Sequence, residues 1–398
     1  MMKSHGNFAT SGRIHNKIIA VLCICSVLAF LCALGGNTQV AEEFTRTVSR
    51  ALIAVLGTLF GWLPFSVYEL FLIVAIVFAV TAVVLVVVWS CKRQSLRAVS
   101  MLLTLAIVVT SFLTLYKATA SFAYERAPLP TAVYSRQNPD TFGKEQAIDL
   151  ARKVVKAVNQ AYADTPHDDY GNIILPNVAT IRADIAEEYK RLDDPLFDGY
   201  FSSYTPAVKT IVHKTIMSEM HIVGVFFGPS GEANINPIET NYNLPHTMAH
   251  EMAHGKGVMR ENEANLVASY LLLTSSKPYL RYSALMKTFY SAISLVSMYP
   301  DTKTTVTELR LSINDGIYTE FANYSELWSR YTLIGDIGNW LNDIYLKFHK
   351  QTGSDSYYKP SESEGTGEKD NEGEEIKVII NFSDTQSLLV KLYNEGRI

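Results

Sequence analysis

The stretch LPHTMAHEMAHGKGVMRENEANLVASYLLL, from Leu244 to Leu273, guides the interpretation of the whole chain. It contains the pattern His-Glu-x-x-His, with His250 and His254 four residues apart and Glu251 between them. Residues four apart on a helix project from the same face, so both imidazoles can reach one metal ion. Glu251 then lies beside the ion, where a glutamate can take a proton from a water that the metal activates. The pattern predicts a Zn²⁺ site on a helix, with Glu251 as general base.

The ends of this helix are also indicated by the sequence. Pro245 is suited to the first helical turn, and Gly255 and Gly257 follow the second histidine closely. A second stretch of helical periodicity begins near Arg260 and continues to about Ser275. We therefore expect two helices joined by a tight turn.

A catalytic zinc needs a third protein ligand and keeps one position open for water. The second helix offers Glu261 and Glu263. Glu261 is favoured because Asn265 lies one turn later on the same face, where it can hydrogen-bond a ligand histidine. Glu263 points about 160° away on a helical wheel, so only one of the two glutamates is expected to bind. Glu263 stays the alternative.

These two helices resemble the gluzincin branch of zinc peptidases, in which the second helix reads Glu-x-Glu-Ala-Asn/Asp. The resemblance implies that Glu261 is the third ligand and that Asn265 supports a histidine. The chain departs from longer-spaced gluzincins because only six residues separate His254 from Glu261.

The chain also resembles a family of bacterial membrane proteins known only as a domain of unknown function. The shared features are apolar N-terminal spans, FGW-PFS at residues 60–66, G-EAN-N at residues 231–236, LPHTMAHEMAH and ENEAN. This resemblance covers most of the chain. Together the two resemblances imply a membrane-anchored protein with a gluzincin-like zinc metallopeptidase domain.

Composition sets outer limits on the protein's class. The chain has 398 residues, of which 48% are hydrophobic, enough for one sizeable domain and additional elements. Its net charge of −4 gives no indication of nucleic-acid binding. No cysteine follows Cys91, so the remainder of the chain has neither a disulfide framework nor a cysteine-ligated zinc.

Residues 1–120 are predicted to form a membrane anchor. Apolar runs at 18–34, 70–89 and 99–116 are long enough to span a bilayer. Residues 50–65 are apolar but shorter, and they contain Gly57, Gly61 and Pro64, which favours an interfacial or re-entrant segment. A cleaved signal peptide is the alternative for the first run, although no small-x-small site follows it closely.

Basic residues predict the orientation of this anchor. Lys3, Arg13 and Lys17 precede the first span, and Lys92, Arg93 and Arg97 lie between the other two. Basic segments on the cytoplasmic side place everything after Lys117 outside the cytoplasm. The sequence thus predicts a multi-pass cell-membrane protein with an extracytoplasmic catalytic domain.

Residues 121–398 have the composition of a soluble α+β domain, predicted to be mainly helical and zincin-like. Helical periodicity occurs at 143–163 and 178–192, and residues 221–236 indicate a β-hairpin before the metal helix. Residues 352–375 are polar and acidic, which indicates a flexible segment.

Other histidines and hydrogen-bond donors of the chain are weaker candidates for binding the metal or stabilising an oxyanion. His246 lies on the same face as His250, but one straight helix cannot wrap three such residues around one ion, so a histidine at the rim of the site or at the helix terminus is expected. His213 and His221 lie in the strand region, where they could reach a developing oxyanion, but a satisfied surface or sheet histidine is the favoured interpretation. Arg281 and Tyr282 are the other candidates for stabilising the oxyanion, and nothing in the sequence ranks them.

Two functions remain from the sequence. The first is a zinc-dependent metallopeptidase that hydrolyses peptide bonds outside the cytoplasm, with a peptide or protein substrate. The second is a non-enzymatic surface protein whose metal joins two helices and whose hairpin binds a protein or cell-wall partner. A structural site would be closed by four protein ligands, whereas an open position favours catalysis. The sequence indicates neither the substrate nor the oligomeric state.

Overall fold

The computed structural model describes residues 2–129, 141–192, 200–201, 203–238, 242–332, 334–353 and 361–398. These residues form mostly helices together with small β-sheets, an α+β arrangement. The chain divides into two compact units. The first comprises Met1–Ala127 with Phe227–Glu232, and the second comprises Pro128–Phe226 with Ala233–Ile398.

The first unit contains the apolar N-terminal helices. Three of its helical stretches are long and apolar enough to cross a membrane, namely Gly12–Gly35, Val67–Cys91 and Ser95–Glu125. The three predicted spans lie within them, and they mark the chain as a membrane protein. The helices of this unit are α1 (Met2–Gly35), α2 (Thr38–Phe44), α3 (Arg50–Gly61), α4 (Val67–Cys91), α5 (Ser95–Tyr116) and α6 (Phe122–Glu125), with π-helical turns at Thr45–Ser49 and Lys117–Ser121.

Helices α1 and α5 run in the same direction. Near the start of both helices, Lys17 Nζ donates to the Ser100 carbonyl at 3.0 Å and lies 2.6 Å from Thr104 Oγ1. Near their far ends, a Cβ added to Gly35 would lie 2.8 Å from Lys117 Nζ. The N-terminal basic segment and the basic turn before α5 therefore lie at the same end of the anchor.

The directions of these helices bear on whether the segment between α1 and α4 crosses the membrane. Phe71 near the start of α4 stacks on Phe112 near the end of α5, with ring centroids 4.9 Å apart, so α4 and α5 are antiparallel. The connection from α1 to α4 consequently begins and ends on one side. Helix α3 continues α2 and the π-helical turn in one helical run over residues 38–61. Residues 42–50 of this run include four charged residues, which are costly in lipid; they are Glu42, Glu43, Arg46 and Arg50. The geometry therefore agrees with three spans rather than four.

The first prediction concerns the side of the membrane on which each end lies. An export-dependent reporter fused after Lys117 is expected to give signal, because the two basic segments at the opposite end favour the cytoplasm. The same reporter fused within residues 92–97 is expected to give only background. The reverse pattern would place the second unit in the cytoplasm.

The turn of the predicted hairpin belongs to the first unit. Gly231 has a φ of +65°, and a Cβ there would lie 2.6 Å from the Ile53 carbonyl. Glu232 accepts a hydrogen bond from the Val67 backbone N–H at 3.1 Å. The first compact unit thus extends to Ala127 and includes Phe227–Glu232. Such contacts across more than a hundred residues have no local sequence signal.

The remaining elements follow in chain order. They are α7 (Lys144–Ala163), α8 (Val178–Arg191), β1 (Ala207–Thr210), α9 (Lys214–Glu219), β2 (Gly224–Phe227), β3 (Glu232–Ile235), α10 (Leu244–Gly255), α11 (Glu261–Leu273), α12 (Pro278–Val296), α13 (Lys303–Leu311), α14 (Asp315–Ser329), α15 (Gly335–Phe348), β4 (Glu362–Lys369), β5 (Glu375–Asn381) and α16 (Asp384–Asn394). Strands β1, β3 and β2 form one sheet in that order, with β3 in the middle.

The two helices of the His-Glu-x-x-His stretch lie in the core of the second unit. Helix α10 packs against α11, and α11 packs against α12. Met252, Val267 and Leu285 from these three helices are fully buried. Burying a side chain of this kind stabilises the folded state by about 1.5–3 kcal/mol. The candidate site therefore rests on well-packed helices of this unit.

The acidic segment contains regular structure. Strand β4 pairs antiparallel with β5, and β4 is exposed along its whole length. The segment predicted to be a flexible linker, residues 352–375, thus includes one strand of a hairpin. Its residues 354–360 lie outside the described part.

Candidate metal site

Helix α10 ends at a glycine-dependent turn directly after the second histidine. Gly257 has a φ of +96°, a left-handed conformation that favours glycine. The Val258 N–H donates to the Ala253 carbonyl at 3.1 Å, and the Gly257 N–H donates to the His254 carbonyl at 2.9 Å. These bonds satisfy the last carbonyls of the helix and reverse the chain. The six-residue link is therefore sufficient to bring α11 beside α10.

Three side chains converge between the two helices. His250 Nε2 lies 3.1 Å from Glu261 Oε2, and His254 Nε2 lies 3.7 Å from Glu261 Oε1. One candidate ligand atom from each of the three residues lies within 4.8 Å of the other two, and all three residues are buried. Among the residues that the structure describes, these three form the group of histidine, cysteine or acidic side chains whose spacing could hold a metal ion.

Both imidazoles are oriented by hydrogen bonds on their other nitrogen. His250 Nδ1 lies 3.0 Å from Asn265 Oδ1, and His254 Nδ1 lies 2.7 Å from the Val258 carbonyl. An oxygen acceptor at Nδ1 favours a proton there, so Nε2 is the nitrogen that each imidazole presents towards Glu261. Asn265 was proposed from the sequence, whereas Val258 acts through its backbone and has no side-chain signal.

The spacing suits a tetrahedral ion. Ligand atoms about 2.0–2.2 Å from a tetrahedral zinc are about 3.4 Å from one another. The two nitrogen–oxygen distances, 3.1 and 3.7 Å, lie on either side of that value. The donor set and its geometry therefore fit Zn²⁺; that the site binds a metal stays a prediction.

The electrostatics of the group depend on its carboxylate. Burial lowers the pKa of His254 to about 4, with Glu261 opposing this shift. Burial also acts to lower the pKa of His250, but the hydrogen bond and charge of Glu261 outweigh it and raise that pKa above its ordinary value. Burial acts to raise the pKa of Glu261, and the two histidines outweigh it and lower that pKa. Glu261 is therefore a carboxylate that favours a cation beside it.

Glu263 lies on the other side of α11. It is 2% exposed, accepts a hydrogen bond from Arg260 Nη1 at 3.0 Å, and lies 3.4 Å from the Leu129 backbone nitrogen. Glu263 is therefore buried and paired with a basic neighbour. Glu261 rather than Glu263 faces the histidines.

Glu251 is buried on α10 beside the sheet. A Cβ added to Gly224 in β2 would lie 2.5 Å from Glu251 Oε1 and 2.7 Å from its Cγ. The missing side chain at Gly224 therefore makes room for the Glu251 carboxylate. The sequence reasoning missed this contact, although a glycine inside the strand pattern HIVGVFF is a signal for close approach.

Comparison with known protein families identifies one match. A family model described as a protein of unknown function, DUF3810, matches residues 44–360. The chain belongs to the DUF3810 family. The match includes the second and third candidate membrane-spanning helices, β2 and both helices of the candidate metal site. Comparisons with curated proteins and with solved structures find no match for this DUF3810 chain.

The other candidates of the DUF3810 chain have different environments. His246 lies near the start of α10, as one of its two expected positions has it, but it is buried rather than at a rim, and its Nε2 lies 3.0 Å from Ser269 Oγ. Tyr282 is fully buried and donates its hydroxyl to Glu320 at 2.6 Å. His221 Nε2 lies 2.8 Å from the Tyr331 carbonyl.

Two further oxyanion candidates lie elsewhere in the second unit. Arg281 lines a separate cavity with Lys153 and Lys156, and His213 precedes α9. These surroundings do not identify one of the four candidates as the donor to an oxyanion. The residue that would stabilise an oxyanion therefore stays unassigned.

Proposed function

We propose that this chain is a membrane-anchored zinc metallopeptidase that hydrolyses peptide bonds outside the cytoplasm. The observation that carries the proposal is the convergence of His250, His254 and Glu261, with Glu251 on the same helix as the histidines. Two imidazoles and a carboxylate are a ligand set typical of catalytic zinc. When bound, the ion acts as a Lewis acid on a carbonyl and lowers the pKa of a water to about 7.

The chain's own residues have distinct roles in this proposal. Glu251 takes the proton of the attacking water and passes it to the leaving amine. Gly224 provides the space that this carboxylate occupies. Asn265 and the Val258 carbonyl hold the imidazoles in the tautomer that presents Nε2.

The number of ligands favours catalysis over a structural role. Structural zinc sites are closed by four protein ligands, whereas catalytic sites have three and keep one position for water or substrate. The group contains three such side chains in the described part of the protein. This count supports an enzyme rather than a surface protein held together by metal.

Strand β2 supports a peptide as the substrate. It lies at an edge of its sheet in the order β1-β3-β2, and Gly224 places it against Glu251. An extended peptide can pair with a strand edge through main-chain hydrogen bonds. A strand edge beside the proposed base would hold a scissile bond where proton transfer is required.

The second prediction tests the proposed function as a whole. The full-length chain in detergent or nanodiscs is expected to retain about one zinc per chain, as three-ligand catalytic sites do. It is expected to cleave members of an unbiased peptide library, to lose this activity with a chelator, and to regain it when zinc is added.

Two results would contradict the proposal. Cleavage that a chelator leaves unchanged would remove the metal from the mechanism. X-ray absorption measures how many protein ligands the zinc has. Four protein ligands, combined with no cleavage of any peptide, would favour the structural role.

A further inference from the structure

Helix α15 exposes its apolar side. Six large apolar side chains on it are between 41% and 73% exposed. At about 100° per residue they occupy an arc of about 140°, a continuous stripe along one side of the helix. These residues are Ile337, Trp340, Leu341, Ile344, Tyr345 and Phe348.

The opposite side of α15 packs against its own unit. Gly335, Gly338 and Leu346 are the buried residues of this helix. A Cβ added to Gly338 would lie 2.6 Å from the Met220 carbonyl, so the helix approaches the chain through a side that lacks bulk. A helix on the surface of a soluble protein normally buries its apolar stripe and exposes its polar one. In α15 the side with two glycines and Leu346 is buried, and the larger apolar stripe faces outward.

The composition of this stripe matches the interfacial region of a bilayer. Trp340 and Tyr345 combine an apolar ring with a polar group, which favours the boundary between lipid and water. Helices that lie in this region are strongly amphipathic, and they insert their apolar face to the level of the acyl boundary.

The chain's own anchor makes a bilayer available to the second unit. Three stretches of the chain are long and apolar enough to span a membrane, so every copy is tethered to lipid. Tethering raises the effective concentration of lipid around the second unit and makes even a weak contact persistent. We propose that α15 lies in the interfacial region of that membrane, with its apolar stripe in lipid.

The charges beside the stripe specify the kind of lipid contact. Asp336, Asp343 and Lys347 leave the helix with two acidic groups and one basic group. Helices attracted to anionic lipid carry clusters of lysine and arginine instead. The contact of α15 therefore depends on apolar burial, and neither salt nor anionic lipid should change it substantially. This inference stands apart from the proposed peptidase activity, because it uses none of the metal-site residues.

The third prediction measures this contact in the full-length chain. Cys23, Cys25, Cys32 and Cys91 are replaced by serine, and one new cysteine is introduced by Ile344→Cys or by Asn339→Cys. Each variant carries an environment-sensitive fluorophore in phosphatidylcholine nanodiscs. Asn339 is the matched control, because it is exposed on the same helix about 140° from Ile344.

The two labels are expected to respond in opposite ways. A nitroxide on the lipid acyl chain should quench the label at position 344 several-fold more than the label at 339, and aqueous iodide should quench 339 more. Equal iodide quenching at both positions would overturn the proposal. Protection of position 344 from both quenchers, accompanied by energy transfer between chains, would also overturn it and would identify a second copy as the occupant.

Discussion

Replacing Glu251 with glutamine is expected to leave zinc bound and to lower peptide hydrolysis by about 10²–10⁴-fold, the usual contribution of a positioned general base. Glutamine keeps the shape of the side chain but cannot accept the proton of the attacking water. The residue is buried beside Gly224, so the amide should occupy the same space. The measurements are zinc per chain and turnover of a peptide selected from the library.

A second variant tests how Glu251 is held. In Gly224→Ala the new methyl group would lie 2.5–2.8 Å from three atoms of Glu251, so the carboxylate must move. We expect slower turnover with unchanged zinc content, since the three atoms nearest to the new methyl group all belong to the proposed base. Wild-type turnover in Glu251→Gln would remove this residue from the mechanism. Wild-type turnover in Gly224→Ala would remove only the positioning role of the strand.

The candidate site was predictable where helical geometry alone determines it. His250 and His254 share a face because they are four residues apart, and Glu261 and Asn265 do so for the same reason. The structure brings Glu261 and both histidines together and places Asn265 on His250. Each of these relations depends on the spacing within one helix and on a short link between two helices.

Relations between distant residues were not predictable in this way. Glu263 is buried because its partners include Leu129, more than a hundred residues earlier. Gly224 acquires its role only when β2 packs beside Glu251 on α10. A sequence pattern states which residues share a strand or a helix face, but the contact between two elements depends on the packing of the whole unit.

Helix α15 illustrates the same limit for a whole element. The spacing of Ile337, Leu341, Ile344 and Phe348 indicates an amphipathic helix. Such a pattern normally means that the apolar side faces the core. In α15 the close approach of Gly338 to Met220 determines which side faces the rest of the unit. The spacing of the apolar residues carries no information about this contact.

The second of the two largest expected effects is the loss of zinc affinity when the third ligand, Glu261, is replaced. Loss of a hydrogen bond that supports a ligand typically weakens metal binding by roughly 10–100-fold. Glu261→Gln removes a ligand itself, so it is expected to weaken zinc binding by at least that factor. Asn265→Ala, which removes the partner of His250 Nδ1, is expected to weaken binding by about 10–100-fold. Zinc affinity is measured by competition with a chelator of known affinity.

Glu263→Gln is the matched control, because it changes a buried glutamate two residues away on the same helix. It removes the charge that pairs with Arg260, so the free energy of unfolding should fall by about 1–3 kcal/mol. Its zinc affinity should nevertheless equal that of the parent chain, since its carboxylate faces away from the histidines. If Glu263→Gln loses zinc while Glu261→Gln keeps it, α11 is rotated about its axis relative to the structure. In that case Asn265 would also lose its contact with His250, and the two helices would present a different ligand set.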